Sequence, residues 1–283
     1  MSAPRAVLVT GATGATGGRT AARLVAAGLR VRAASRAAAP VTGAEPVRFD
    51  WYDPATHQAT LDGADRIYLV PPPGDPDPAA VMLPFLDRAR TAGARRAVLL
   101  SASSIPEGGP AAGVVHRALP DLFDEWAVLR PSWFMQNFTG AHPHAQSIRS
   151  EGVILTATGS GRVGFVDAAD IAAVAARALT DPEALNGDAV LTGPEALSHD
   201  DVAAVLSEIT AAPVVHRRVS REHMRVRLGA SIPPEFAAML ADMDHAIAHG
   251  AEDRVTDAVE RLTGRAPSGF AAVARRELGE RAR

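Results

Sequence analysis

Ala6-Val7-Leu8-Val9-Thr10-Gly11-Ala12-Thr13-Gly14-Ala15-Thr16-Gly17-Gly18 decides how the rest of the chain is read: four apolar residues run into a glycine-rich turn, and Arg19 to Ala27 behind it carries neither Pro nor Gly. That is a buried strand, a tight loop and a helix, the opening of a βαβ unit. The glycines recur at 11, 14 and 17. Gly11 allows the sharp turn, Gly14 lets a pyrophosphate approach the backbone, and Gly17 lets the helix pack close to the strand. The free N–H groups and positive dipole end of the helix then face the phosphates. A Gly-rich turn with no ligand is the alternative, but a strand before the glycines and a helix after them favour a dinucleotide. Gly11, Thr13, Gly14, Ala15, Thr16 and Gly17 are the expected contacts.

Working outward, strand and helix signals alternate. Strands are expected at 29–34, 46–49, 66–70, 97–100 and 126–129, and helices at 81–91 and 114–123. Repeated β then α with short apolar strands predicts an α/β fold, a Rossmann-type doubly wound parallel sheet. Beyond Pro131 the rhythm changes. Residues 1–131 are therefore expected to form the NADP(H)-binding domain, and 132–283 a smaller substrate-binding lobe and lid that partly returns to the sheet. In that lobe short strands are expected at 153–155, 163–166, 189–191 and 214–219. Helices are expected at 221–229, 234–249 and 270–278, with one ending at Leu179 capped by Asp167 or Asp170. Ser198-His199-Asp200-Asp201 opens another helix as a capping box; it is no catalytic triad, because neighbours on one helical turn do not face each other.

Apolar residues make up 47% of the 283-residue chain, enough for a sizeable core. The net charge of −3 leaves no footprint for nucleic acid. With no cysteine, disulfides, zinc–thiolate sites and thiol catalysis are excluded. No metal site is expected. No apolar run is long enough to span a bilayer, and with the first strand starting close to Met1 no signal peptide is expected. The expectation is a soluble, cytoplasmic protein binding a small aromatic molecule, with no nucleic-acid or membrane partner; the oligomeric state is open, and a monomer is compatible with the sequence.

Ligands of open α/β sheets lie beyond the carboxyl ends of the strands. Here those ends supply Ser35 and Arg36, Asp50 and Trp51, Val70, Pro71 and Pro72, Ser101 and Ala102, and Pro131 and Ser132 as cofactor contacts. An acid after the second strand would hold the ribose 2′-hydroxyl of NAD; the chain instead reads Ala33-Ala34-Ser35-Arg36. Arginine is a good phosphate partner, so NADPH is expected, with Arg32 as a second contact. Ser103, Trp133, Phe134, Met135 and Phe138, with Met224 and Met239 from the lid, are candidates for a substrate pocket. Packing of the second lobe is the competing role for each.

The motif order Gly11-x-x-Gly14-x-x-Gly17, Leu99-Leu100-Ser101-Ala102-Ser103, Val128-Leu129-Arg130-Pro131-Ser132-Trp133-Phe134-Met135-Gln136-Asn137-Phe138 and Phe165-Val166-Asp167-Ala168-Ala169-Asp170-Ile171-Ala172 resembles the NmrA-like branch of the atypical short-chain dehydrogenases/reductases. The resemblance runs from the first strand to about Leu206. It implies an NAD(P)-binding fold with nicotinamide near the Ser101 and Pro131 segments. Members include quinone reductases, reductases of natural-product pathways, some acting on C=N bonds, and cofactor-sensing regulators that do no chemistry.

Most short-chain reductases carry Tyr-x-x-x-Lys, the tyrosine as proton donor and the lysine to lower its pKa. This chain cannot: all 29 of its basic residues are arginine, and its two tyrosines are Tyr52 and Tyr68. Either the protein does no chemistry, or its substrate carries the negative charge itself. A quinone gives a delocalised anion, an iminium ends neutral, and a ketone beside a phenol uses its own internal hydrogen bond. The side chains left as catalytic candidates are His116, on the expected helix, and Ser101. A ketoreductase or quinone reductase of a bulky aromatic substrate, an imine reductase and an NADP(H)-sensing regulator all fit. The Met- and aromatic-rich second lobe favours the enzyme.

Overall fold

The computed structural model describes residues 6–281. In chain order the elements are β1 (Ala6–Val9), α1 (Ala15–Ala26), β2 (Arg30–Ser35), β3 (Glu45–Arg48), α2 (His57–Leu61), β4 (Ala64–Leu69), α3 (Ala79–Thr91), β5 (Arg96–Leu100), α4 (Ala112–Leu122), β6 (Glu125–Pro131), α5 (Gln136–Thr139), α6 (Pro143–Glu151), β7 (Val153–Thr156), β8 (Arg162–Val163), α7 (Ala168–Thr180), β9 (Gly187–Leu191), β10 (Leu197–Ser198), α8 (His199–Thr210), β11 (Val215–Arg218), α9 (Arg221–Gly229), α10 (Pro234–Ala248), α11 (Ala258–Thr263) and α12 (Phe270–Arg281). They group into two compact units. One holds the chain up to Pro131 with Ala168–Val190; the other holds Ser132–Asp167 and the chain from Leu191 on.

The first unit is built on a seven-stranded sheet of order β3-β2-β1-β4-β5-β6-β9. The pairs from β3 across to β6 all run parallel, with Val9 opposite Ala33 on one side and Tyr68 on the other. Its central strands read as unbroken apolar runs because helices cover both faces: Val7, Leu8 and Val9, Ile67, Tyr68 and Leu69, and Val98 and Leu99 are all buried. Successive side chains point to opposite faces. Leu8, Ile67, Leu69 and Leu99 therefore meet Met82, Phe85 and Leu86 of α3 and Val115 and Leu119 of α4. Burying each such side chain contributes about 1.5–3 kcal/mol. α1 packs against α7, and α3 against α4. Arg66 and Arg96 donate to the carbonyls of Leu179 (2.8 Å), Ala178 (3.3 Å) and Asp181 (2.6 Å). They thereby satisfy the orphan acceptors at the carboxyl end of α7 and complement its dipole.

The strand order reverses between β1 and β4, the switch point at which such sheets bind ligands. The glycine loop sits there.

The second unit packs Met135, Phe138, Ile154, Phe165, Val202, Leu206, Ile247, Phe270 and Val273 into one core. β11 pairs with β7 in parallel and β10 with β8 antiparallel. α8 starts in the expected capping box: Ser198 Oγ accepts from the Asp201 N–H at 3.1 Å, and the Asp201 carboxylate accepts from the Ser198 N–H at 2.9 Å. The strand expected at 163–166 forms a ladder only over Arg162–Val163, because Val166 makes a separate parallel bridge to Phe134. The short helices α2, α5, α6 and α11 were not anticipated; at four to nine residues they are too brief to show a period. No described helix is long and apolar enough to cross a membrane, and no described cluster of His, Asp or Glu is arranged to hold a metal ion.

Candidate functional site: the glycine loop and the strand ends

Thr10 fastens the glycine loop to the sheet. Its hydroxyl accepts from the Val70 N–H at 2.8 Å and donates to the Tyr68 carbonyl at 3.1 Å. Gly11 follows with φ +60°, and a Cβ there would lie 3.0 Å from Val70 Cβ, so both conformation and space demand glycine. Gly17 is required by close approach alone: a Cβ would stand 2.2 Å from the Gly11 carbonyl oxygen. The Ala12 N–H reaches the Ala34 carbonyl at 3.1 Å and ties the loop to β2. Thr13, Gly14 and Ala15 are exposed, whereas Thr16 is buried beneath them. Gly14 caps α1 without a side-chain hydrogen bond, and the first turn holds no acid. The N–H groups and dipole of α1 therefore point at an uncontested place for an anion.

At the end of β2, Ser35 Oγ accepts from the Ala39 N–H at 3.0 Å. Arg36 beside it is exposed and makes no ion pair within the described residues. Arg32 is not the second phosphate contact that was expected. It is buried and spends its guanidinium on the Asp62 and Ala59 carbonyls and on Glu45 at 3.4 Å. Glu45 is further occupied by Arg30 at 3.0 Å. Trp51 turns inward: its indole N–H donates to the Val70 carbonyl at 3.1 Å and its ring meets Phe49 and Phe85 edge-on. The indole is thus committed to the core. Asp50 accepts from the Tyr52 N–H at 3.0 Å. Pro71 is half-buried and Pro72 buried in the turn after β4.

At the end of β5 the Ser101 hydroxyl is buried and has no hydrogen-bond partner. Such a group is costly unless a ligand or water completes it. Ala102 follows, half-buried, and the buried Ser103 donates its N–H to the carbonyl of Pro131, the buried last residue of β6, at 2.9 Å. The Ser103 carbonyl accepts from Arg130 at 3.0 Å, and Arg130 also pairs with Asp188 at 2.7 Å. A glycine cradle that a Cβ would fill, an orphaned Ser101 hydroxyl and an unpaired Arg36 are the features that a dinucleotide would use.

His116 does not suit the proton-donor role expected of it. It is 3% exposed, its ring lies 6.3 Å from that of Trp126 near the start of β6, and burial holds its pKa below the usual imidazole range. At neutral pH it carries no extra proton to give. The tyrosines are no nearer. Tyr68 is fully buried in β4, and that burial pushes its hydroxyl pKa up. Tyr52 is exposed and donates to Asp75 at 2.6 Å, an interaction that raises its pKa to about 12.

In the second unit, the Ser132 N–H donates to the Leu191 carbonyl at 2.9 Å and its hydroxyl meets Glu252 at 3.4 Å. Glu252 is buried and lies 3.6 Å from Arg254. Sequence reading missed it, since an acid in the short stretch Gly250-Ala251-Glu252-Asp253 carries no periodic signal. Trp133 and Phe134 remain half-buried. Met135 and Phe138 are not pocket walls but core: the Phe138 ring, 2% exposed, packs on Phe165, Phe270 and His144. Met224 is likewise buried, against Ala157 and Ala241, inside the α9–α10 pair. Met239 stands 41% exposed on α10.

A family model described as NmrA-like matches residues 125–267, and one described as NAD(P)H-binding matches residues 11–182. The chain is 45% identical over 262 residues to the Bacillus subtilis oxidoreductase YesF, covering 92% of this chain and 91% of that one. It is 39% identical over 275 residues to an agroclavine dehydrogenase of Claviceps fusiformis, covering 94% of each. Among solved structures, the Escherichia coli NADPH-dependent quinone oxidoreductase in complex with NADPH shares the fold with a TM-score of 0.79 at 22% identity, over 96% of this chain and 99% of that one.

Proposed function

The chain belongs to the NmrA-like family, and from that premise we propose the reaction it performs. It is an NAD(P)H-dependent oxidoreductase. The finer reading is a reductase that uses NADPH on a bulky, conjugated, natural-product-like acceptor (an aromatic ketone, quinone or iminium), with any proton drawn from substrate or solvent.

The bound dinucleotide supplies the hydride. The chain binds and orients: the first turn of α1 takes the phosphates, Arg36 and Ser35 take a 2′-phosphate with no acid on β2 to repel it, and the Ser101 hydroxyl completes its hydrogen bonding on the ligand. One observation carries the substrate class. The chain holds no lysine, both tyrosines are committed elsewhere, and the end of β5 offers only a serine hydroxyl. A serine alone is a poor acid, so an aliphatic ketone would end as an unprotonated alkoxide. A quinone spreads that charge over a delocalised anion, and an iminium ends neutral. The likeness to an agroclavine dehydrogenase along 94% of both chains supports a natural-product-like acceptor and weighs against a regulator without turnover.

The experiment is NADPH oxidation followed with menadione and with cyclohexanone. Menadione reduction with no turnover of cyclohexanone is expected. Failure across a panel of quinones, aromatic ketones and cyclic iminium salts, with NADPH still bound, would favour the cofactor-sensing regulator instead.

A further inference from the structure

Within the second unit, two carboxylates meet around one amide. Asp167 is completely buried and accepts from Gln136 Nε2 and from Arg276 Nη2, each at 2.8 Å. Gln136 Nε2 also donates to Glu277 Oε1 at 2.8 Å, and Thr139 Oγ1 donates to Glu277 Oε2. Arg276 lies 3.8 Å from Glu277. An amide nitrogen has two protons, so both are used, one on each carboxylate. The network joins three pieces of chain: α5, the residue before α7, and α12.

These groups bracket a short segment. The Val166 N–H donates to the Trp133 carbonyl and the Met135 N–H to the Val166 carbonyl, both at 3.0 Å. Met135 and Phe138 anchor the segment in the core, while Trp133, packed against that core, and Phe134 remain half-buried. Burying two carboxylates with one guanidinium is a poor way to gain stability, since apolar packing does the same at less desolvation cost. Its advantage is directional: three hydrogen bonds from α5, with a fourth between Arg276 and Asp167, permit one placement of α5.

We propose that Arg276 and Glu277 of α12 are positioning residues that hold the Trp133–Phe134 aromatic pair at the angle the acceptor requires. The inference rests on the proposed reductase reading for its substrate, but its geometric half can be tested without turnover. Three variants separate the cases: Glu277→Ala, Glu277→Gln, which keeps one acceptor oxygen, and Thr139→Val, which removes one donor without changing shape and serves if Glu277→Ala does not fold. Two readouts are needed, KM and kcat for menadione with Kd for NADPH, and amide hydrogen exchange of residues 133–139.

Loss of a charge-assisted hydrogen bond predicts exchange over 133–139 faster by about tenfold or more in Glu277→Ala, with intermediate values in Glu277→Gln and Thr139→Val. KM for menadione rises in the same order while Kd for NADPH stays put. Unchanged exchange over 133–139 overturns the proposal, whether or not the wild type reduces menadione. So does faster exchange with unchanged KM, or a joint shift of KM, Kd and exchange throughout the unit, which marks a merely structural role. A wild type that reduces no acceptor sinks the parent reading, and exchange alone then decides the positioning.

Discussion

Gly17→Ala is the sharpest perturbation the structure offers. The new Cβ would lie 2.2 Å from the Gly11 oxygen, 2.7 Å from the Gly11 carbonyl carbon and 3.1 Å from the Ala12 nitrogen. An ordinary C···O approach is about 3.3 Å, so roughly 1 Å of movement is needed. All three neighbours are backbone, so no side chain can swing away; α1 must lift from the loop. Overpacking of this kind costs about 1–3 kcal/mol, while Ala in place of Gly returns about 1 kcal/mol of helix propensity. The net loss, about 0–2 kcal/mol, lowers Tm by no more than about 8 °C, so the protein stays folded at 25 °C. Binding suffers more. Lifting the first turn of α1 breaks one or two charge-assisted hydrogen bonds to phosphate at about 1.5–3 kcal/mol each, raising Kd for NADPH by about 10-fold to beyond 100-fold. Fluorescence titration with NADPH measures this, with a thermal melt alongside. The control is Gly279→Ala in α12, where a Cβ meets nothing within 4 Å. If Gly17→Ala melts cooperatively and binds NADPH within about twofold of wild type, the amino end of α1 is not the phosphate site and the reasoning from the glycine spacing fails.

Other outcomes follow from the same geometry. Arg36→Asp should weaken NADPH by at least about tenfold more than NADH in parallel titrations, because only the 2′-phosphate faces the reversed charge. Gly279→Ala should raise Tm by about 1–4 °C with no change in Kd, since it relieves the entropic cost of an exposed helical glycine. Stability should fall on acidification. Burial lowers His144 and His199 to about 3, so between pH 6.5 and 3 the unfolded chain binds the extra protons and stability is lost as pH drops. Each histidine contributes about 1.4 kcal/mol per pH unit. Asp244, raised to about 6 by burial, works in the opposite sense below pH 6 and offsets one of them. Denaturant melts from pH 7 to pH 4.5 should show the decline, and His199→Gln should make it shallower.

The opening strand, loop and helix were legible because their pattern is local: strand, glycine spacing and helix lie in one short stretch, and the Gly11 carbonyl that demands glycine at 17 lies in the turn itself. The Ser198–Asp201 capping box and the α9–α10 pair were legible for the same reason. What escaped depends on which way a side chain faces. Arg32 spends itself on the Asp62 and Ala59 carbonyls, while Arg36, one residue past the end of β2, stays exposed. A single helical turn at Gln136–Thr139 swung Phe138 into the core, and apolar composition cannot tell a pocket wall from a core residue. The Gln136–Asp167–Arg276–Glu277 network was out of reach because its partners lie 31, 109 and 141 residues apart. No period or motif links them; only the folded chain brings them together.

Hydride transfer without a proton-donating side chain is the central claim. Single-turnover oxidation of saturating NADPH by menadione tests it most directly, in the wild type and in Ser101→Ala and His116→Phe. General acid catalysis is worth about 10²–10⁴-fold; rates within about tenfold of wild type in both variants are predicted. A loss of 100-fold or more in either, with NADPH still bound, would contradict it.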